Sequence, residues 1–348
     1  MEQAETTVRE AVPLLIGWYR EKKREMPWRE EPTPYHVWLS EIMLQQTRIE
    51  AVKPYYARFL AELPDIPSLA AVEEDKLLKL WEGLGYYSRA RNLKKAAETV
   101  MAEYGGELPA DVEKLRSLAG IGDYTAGAVA SLAFGLPEPA VDGNVLRVMA
   151  RLTLLREDVM QPKTRKAVTS LLRSVYPAGE EAGLLTSGLM ELGEVPCIPN
   201  GEPRCGECPL RRICLAHREG CETSLPVKSP KRERRVEKWT VYLLRCGERY
   251  ALEKRPDTGL LASLWGFPMK MGEYGAETED FLRELGLNPE KAELWGEARH
   301  IFTHVEWEMQ GVFVPCDREL PGYFWFTPEE LRRDKALPTA FRAFAGKI

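Results

Sequence analysis

Two carboxylates and four thiols are the side chains of this 348-residue chain whose types and spacing could do chemistry. Glu41 lies in Val37-Trp38-Leu39-Ser40-Glu41-Ile42-Met43-Leu44, on a helical pattern with apolar neighbours. Partial burial there raises a carboxyl pKa and makes the group a proton donor at neutral pH. Asp142 opens a second helical pattern in Val141-Asp142-Gly143-Asn144-Val145. An acid at that position is ordinarily an N-cap; the amides and the helix dipole also favour its anion, so Asp142 is expected to stay ionised. Two carboxylates with proton affinities pushed apart are the arrangement that cleaves glycosidic bonds, one as acid and one as nucleophile or cation stabiliser.

Between them in sequence, Leu118-Ala119-Gly120-Ile121-Gly122-Asp123-Tyr124-Thr125-Ala126 is flanked by helical patterns on both sides, as in a helix-hairpin-helix. Gly120 and Gly122 would let the turn backbone approach a ligand, and the amides opening the second helix would point at an anion such as a DNA phosphate. With a DNA-binding hairpin between two carboxylates, the bond to suspect is the N-glycosidic bond of a nucleotide. The thiols are Cys197-x7-Cys205-x2-Cys208-x5-Cys214. Four thiolates suit a [4Fe–4S] cluster or Zn²⁺. A zinc ribbon would show two Cys-x2-Cys knuckles, and one is present, which favours the cluster. Cys221 is a bystander on this reading, and the clustering of an odd number of cysteines points to metal in a reducing compartment.

The elements that must position these groups fall into two domains. From about residue 4 to 220 apolar residues recur at helical spacing, and Thr33-Pro34, Gly105-Gly106 and Leu136-Pro137-Glu138-Pro139 supply a cap, a stop and a break. The expected boundaries are an all-α domain over 1–221, a charged linker over 222–238 and an α+β domain over 239–348, with strands at Trp239–Cys246, Arg249–Arg255 and His304–Val314. Hydrophobic residues make up 44% and charged residues 29% of the chain, which excludes intrinsic disorder. A net charge of −5 excludes a wholly basic nucleic-acid binder and requires any DNA-binding cations to be gathered on one face. No run of about 18 apolar residues marks a membrane span, and the Glu-rich stretch Met1–Val12 has no signal-like apolar region. A cytoplasmic protein with no membrane contact is expected.

Glu41-Ile42-Met43-Leu44-Gln45-Gln46-Thr47, Trp81-Glu82-Gly83-Leu84-Gly85-Tyr86-Tyr87-Ser88-Arg89, the hairpin with Tyr124, Val141-Asp142-Gly143-Asn144 and the cysteine cluster, in this order, resemble the MutY-type adenine DNA glycosylases. Gly259-Leu260-Leu261-Ala262-Ser263-Leu264-Trp265-Gly266-Phe267-Pro268 resembles the C-terminal domain of the same family. The resemblance implies an all-α helix-hairpin-helix glycosylase domain with a [4Fe–4S] module, followed by an α+β Nudix-like domain. It also implies excision of adenine opposite 8-oxoguanine or guanine in double-stranded DNA by a bacterial, nucleoid-associated protein. Glu41 would protonate the flipped adenine at N7, Asp142 would stabilise or trap the oxocarbenium ion, and Tyr124 and Asn144 would support them. Related lyases carry a Schiff-base lysine where this chain has Tyr124, which implies a monofunctional enzyme. The alternatives are an endonuclease III-like glycosylase/lyase acting on other bases and a noncatalytic DNA-binding iron–sulfur protein.

Further positions follow from the same resemblance. Gln46 and Tyr86 match the wedge that fills the stack vacated by the base. Arg48, Arg89, Arg91, Lys94 and Arg147 match phosphate contacts. Trp28, Arg29, Leu44 and Thr47 match positions near the lesion base, and Phe302-Thr303-His304 matches the Phe-Ser-His loop that reads 8-oxoguanine. Ser187 stands where an amide or acid usually meets the adenine edge, and the first cysteine gap is seven residues where six is commoner. Arg283-Glu284-Leu285-Gly286 keeps only a fragment of the Nudix metal-binding helix, so triphosphate hydrolysis is not expected. A monomer is expected, with the charged stretch Lys228–Arg235 as a candidate sliding-clamp contact.

Overall fold

A computed structural model describes residues 2–230 and 233–348, so Lys231 and Arg232 of the expected linker, like Met1, lie outside it. Residue contacts divide the chain into two compact units, one of residues 1–71 with 92–230 and the other of 72–91 with 231–348.

The first unit is helical. Its helix Pro34–Leu44 begins as the sequence predicts: the Thr33 hydroxyl accepts the His36 amide, and Pro34, which lacks an N–H, takes the first turn. The helix has little polar face. Trp38, Leu39 and Met43 are fully buried, and Glu41 is carried into the core with them. The hairpin joins the helices Val112–Ser117 and Asp123–Phe134, with buried Ile121 closing the turn through a bond from its amide to the Leu118 carbonyl. Gly120 has φ +75°, and a Cβ there would lie 2.7 Å from Asn92 Cβ, so both backbone and space select glycine. Gly135, also left-handed, ends the second hairpin helix.

Gly127 sets the spacing between that helix and the segment leading to Asp142. A Cβ at Gly127 would press on the Pro139 carbonyl, 2.9 Å from its carbon and 3.2 Å from Ala140 Cα. The missing side chain therefore lets Pro139–Ala140 lie against the helix that carries Tyr124. Asp142 then caps Gly143–Leu152, accepting the Val145 amide at 2.7 Å.

The second unit is built on a mixed sheet of strands β1 (Arg235–Cys246), β2 (Arg249–Lys254), β3 (Trp265–Gly266), β4 (Met269–Met271), β5 (Glu293–Ile301), β6 (Val305–Pro315) and β7 (Phe324–Phe326). The order is β3-β2-β1-β6-β5, with β4 on β1 and β7 on β2. β1 and β6 run parallel in register from Arg235↔Val305 to Arg245↔Pro315. Alternation sends Val241 and Leu243 to one face, with Trp307, Phe341 and Phe344, and Tyr242 and Leu244 to the other, with Leu282, Val312 and Val314.

Two expectations about organisation need correction. The linker expected over 222–238 is shorter, because Arg151 Nε donates to the carbonyls of Glu222 and Leu225 and the Val159 amide donates to Val227, fixing that stretch to the helical unit. At the other end, pairing with β6 draws Arg235–Lys238 into β1. The segment 72–91, expected in the helical domain, belongs to the sheet unit: Lys335 Nζ bonds Asp75 at 2.8 Å and the Leu337 amide bonds Glu82 at 2.9 Å. No helix among the described residues is long and apolar enough to cross a membrane.

Gly127→Ala is expected to destabilise the helical unit by about 1–3 kcal/mol, the range for overpacking against atoms that cannot turn aside. It should also lower activity by moving Asp142 away from the hairpin helix. Thermal melting and single-turnover base release check the two effects, and an unchanged melt would show that the Pro139 contact is slack.

Candidate active site

Glu41, Tyr124, Asp142, Asn144 and Ser187 all line one cleft of about 1210 Å³ in the helical unit, together with Trp28, Arg29, Leu44, Gln46, Thr47 and Arg48. At its floor the Tyr124 hydroxyl donates to Glu41 Oε2 at 2.6 Å. Glu41 is 5% exposed. Burial pushes its pKa up to about 7; the nearby Asp142 adds to the rise, and the Tyr124 hydrogen bond and Arg29 oppose it. The same burial, with Glu41 and Asp142 close by, holds the Tyr124 hydroxyl protonated far above the ordinary phenol range.

Asp142 departs from expectation. Its pKa is raised, because burial outweighs the amides of Val145 and Asn144 and the positive charges of Arg147 and Arg165. The N-cap alone argued for a depressed value, but nothing local in the sequence reports how much protein lies over the cap. The two carboxyls still differ in what opposes their burial. Glu41 has one hydroxyl donor and the charge of Arg29; Asp142 has two amides and two guanidinium groups.

Of the expected phosphate contacts, two are corrected. Arg147 is buried and donates to the carbonyls of Cys197 and Gly193 and to Asn144 Oδ1, so it braces the site from inside. Arg89, also buried, donates to the carbonyls of Leu84 and Gly85 and lies over the Trp81 ring, knitting the turn that presents Tyr86. Arg91 donates to the Ala262 carbonyl, Lys94 pairs with Glu98, and Arg48 lines the cleft. Gly122 has an ordinary extended φ of −93°, with open space where a Cβ would stand.

In the sheet unit, Phe302, Thr303 and His304 form the turn between β5 and β6, closed by the Phe302 amide on the Val305 carbonyl. Phe302 packs edge-on against Trp307, leaving Thr303 and His304 exposed. Tyr86, from segment 72–91, is exposed at φ +47°, and its hydroxyl lies 3.0 Å from Thr303 Oγ1.

Cys197, Cys205, Cys208 and Cys214 line a second, small cavity of about 30 Å³, walled also by apolar side chains such as Val148, Leu152, Leu192 and Leu210 and by Arg211 and Arg151, whose Nη1 is 3.3 Å from Cys197 Sγ. Burial pushes the Cys205 thiol up to about 11 and Cys208 up to about 12. Four thiols lining one small pocket beside a guanidinium fit a cationic centre that takes thiolate ligands. His217 and Glu222 also border the pocket, and their donor atoms lie within 4.8 Å of Cys205 Sγ and of each other.

Sequence reading missed Arg24, Glu191 and Glu194, all on the cleft wall. Both oxygens of Glu191 are engaged, one by Arg24 and one by Arg29 Nη2 at 3.0 Å. Glu194 accepts a bond from Asn144 Nδ2 at 3.2 Å. Glu191 and Glu194 follow one another at helical spacing and look in sequence like solvated acids, so no signal distinguished them.

A helix-hairpin-helix, paired carboxyls in a cleft and a cysteine-lined pocket define a base-excision DNA glycosylase. Residues 39–177 match the family of HhH-GPD superfamily base excision DNA repair proteins, and residues 240–347 match the NUDIX domain. The adenine DNA glycosylase of Rattus norvegicus is 32% identical, covering 94% of this chain and 76% of its own. That of Buchnera aphidicola subsp. Acyrthosiphon pisum is also 32% identical, over 84% of this chain and 82% of its own. Among solved structures, a thermostable thymine-DNA glycosylase (TM-score 0.53, 27% identity, 61% of this chain and 97% of that one) and a non-covalent endonuclease III–DNA complex (0.53, 25%, 62% and 97%) are similar. The chain belongs to the adenine DNA glycosylase family: it is a base-excision repair hydrolase that removes adenine from DNA.

A carboxyl that prefers its proton in the native state stabilises the fold at low pH and loses that contribution as pH rises from the ordinary value of 4.5 to about 7. At pH 8 an ionised Glu41 therefore costs about 3 kcal/mol relative to pH 4. Glu41→Gln should raise the melting temperature at pH 8 by several degrees and by much less at pH 5; an equal gain at both would mean that Glu41 is not the buried acid.

Proposed function

We propose that this enzyme excises adenine paired with 8-oxoguanine or guanine, with Glu41 as general acid and Asp142 as the cation-stabilising carboxylate. The hydrogen bond from Tyr124 to the buried Glu41, in the cleft that also holds Asp142, carries the proposal. Adenine is a poor leaving group unless protonated, and a carboxyl with a pKa of about 7 holds a transferable proton at the pH of the cell. Tyr124 occupies Glu41 Oε2, which leaves Oε1 to deliver the proton to N7 of an extruded adenine. As the proton arrives, the C1′–N9 bond breaks and its electron pair leaves with the base. The positive charge left on the sugar falls to Asp142, which stabilises it or closes a covalent bond to C1′ until water displaces it. Water gives the new C1′–OH, and its proton restores Glu41.

Asn144 and Tyr124 hold the two carboxyls in place, and Ser187 contributes a small hydroxyl at the cleft wall. Tyr124 cannot form a Schiff base, so strand cleavage is not part of the reaction. Trp28, Arg29, Leu44, Gln46 and Thr47 contact the lesion pair, and Arg48 with the Gly120–Gly122 hairpin holds the backbone. Phe302, Thr303 and His304 read the oxidised base, with Tyr86 as a stacking wedge. Cys197, Cys205, Cys208 and Cys214 hold a [4Fe–4S] cluster, which when bound ties the loop 197–214 to the helical core. The enzyme works as a cytoplasmic monomer on DNA.

Single-turnover release of adenine from a duplex with A opposite 8-oxoguanine is the test, with strand scission scored before and after alkali. Release with nicks only after alkali is expected; scission without alkali would restore the lyase reading. Glu41→Gln should bind the duplex normally and release base more than the roughly 10²–10⁴-fold more slowly that is typical of a lost general acid. Thr303→Ala with His304→Ala should narrow the preference for 8-oxoguanine over guanine and spare release from the plain mismatch. An unchanged ratio would remove this loop from lesion reading.

A further inference from the structure

The cleft contains a conflict: a group that must keep a proton shares its walls with several cations. Arg24 and Arg29 both line the cleft of Glu41. An uncompensated cation at short range in a poorly solvated pocket pulls the proton off a carboxyl. Glu191, on the helix Glu180–Glu194, lies between the two guanidinium groups with its side chain 1% exposed. Arg24 Nε bonds its Oε1 and Arg29 Nη2 its Oε2 at 3.0 Å. Arg29 is fixed further by a bond from Nη1 to the Arg24 carbonyl at 3.0 Å and by the Tyr19 ring, 5.5 Å from its guanidinium carbon. A carboxylate this buried, with both oxygens committed to cations, persists only because it is paired. The paired groups line the same cleft as Glu41 and Asp142.

We propose that Glu191 is a positioning residue: it pins Arg29 to the cleft wall and cancels its charge, so that Glu41 keeps the proton it delivers. The groups that face Glu41 are Tyr124 from the hairpin helix, Asp142 from the cap of Gly143–Leu152, and Arg29 from the short helix Pro27–Glu30. Of these only Arg29 favours the anion through its charge, and Glu191 is the acid bonded to it. Free of Glu191, Arg29 would act on Glu41 at full charge and ionise it at lower pH.

The inference rests on Glu41 being the acid, and the pH dependence of single-turnover adenine release separates the two. The rate of the unmodified enzyme should fall on an alkaline limb that disappears in Glu41→Gln. In Glu191→Gln the limb should move to lower pH by about one unit, giving roughly 10-fold slower release at pH 8 and little change near pH 5.5. Glu191→Gln with Arg29→Gln should return it towards its original position. A limb that stays in place in Glu191→Gln, with a loss equal at every pH, would mean that Glu191 only supports the fold and would overturn the inference while leaving Glu41 as the acid. A limb that survives Glu41→Gln would remove that reading and the inference together. Should Glu191→Gln lack a cooperative melt, Arg29→Gln alone must move the limb to higher pH, and an unmoved limb there is equally decisive against the proposal.

Discussion

The Pro139 carbonyl fills the space that a Cβ on Gly127 would take, and the chemistry of the helical unit depends on that approach. It brings the segment ending in Asp142 against the helix that begins with Tyr124, while the apolar helix Pro34–Leu44 carries Glu41 to the same point. Packing of backbone on backbone cannot relax by turning a side chain. The geometry of the two carboxyls is therefore a property of the core and is maintained by the same contacts that keep the unit folded.

Burial in this cleft acts on every ionisable group at once, and the structure answers it differently at each. Glu41 receives one hydroxyl and the charge of Arg29, and burial still holds its proton. Asp142 receives two amides at a helix start. Glu191 receives two guanidinium groups. Arg147, buried beneath Asn144, is satisfied by two backbone carbonyls and the Asn144 amide oxygen. One low-dielectric pocket can thus hold a neutral acid beside charged groups, because each charge meets its partner locally.

Much of this organisation was legible in the residues. The hairpin glycines, the Thr33-Pro34 cap and the switch from helical to alternating periodicity are local signals, and local signals survive in a linear chain. The strands β3, β4, β5 and β7 were not legible: three are only two or three residues long, and β5 is an edge strand with a bulge between Leu294 and Gly296 that spoils its alternation. The arginines were misread for a related reason. A surface cation and a buried brace have the same composition, and only the carbonyls of Gly193 and Cys197, or of Leu84 and Gly85, distinguish them. Glu191 was invisible because its partners, Arg24 and Arg29, lie 167 and 162 positions away.

The second unit is discontinuous in the chain, and this bears on how the protein is made. Segment 72–91 finds its partners 190 to 260 positions later, at Trp265, Lys335 and Leu337. During synthesis it emerges early and cannot complete its docking until Lys335 and Leu337, which follow the helix Pro328–Asp334, have left the ribosome. Tyr86, on the turn within that segment, waits for Thr303, 217 positions later, to make its bond. Closing so long a loop is a late, entropically costly event, so a nascent or truncated chain that stops before residue 328 can complete its helical core while the segment bearing Tyr86 still lacks Lys335 and Leu337.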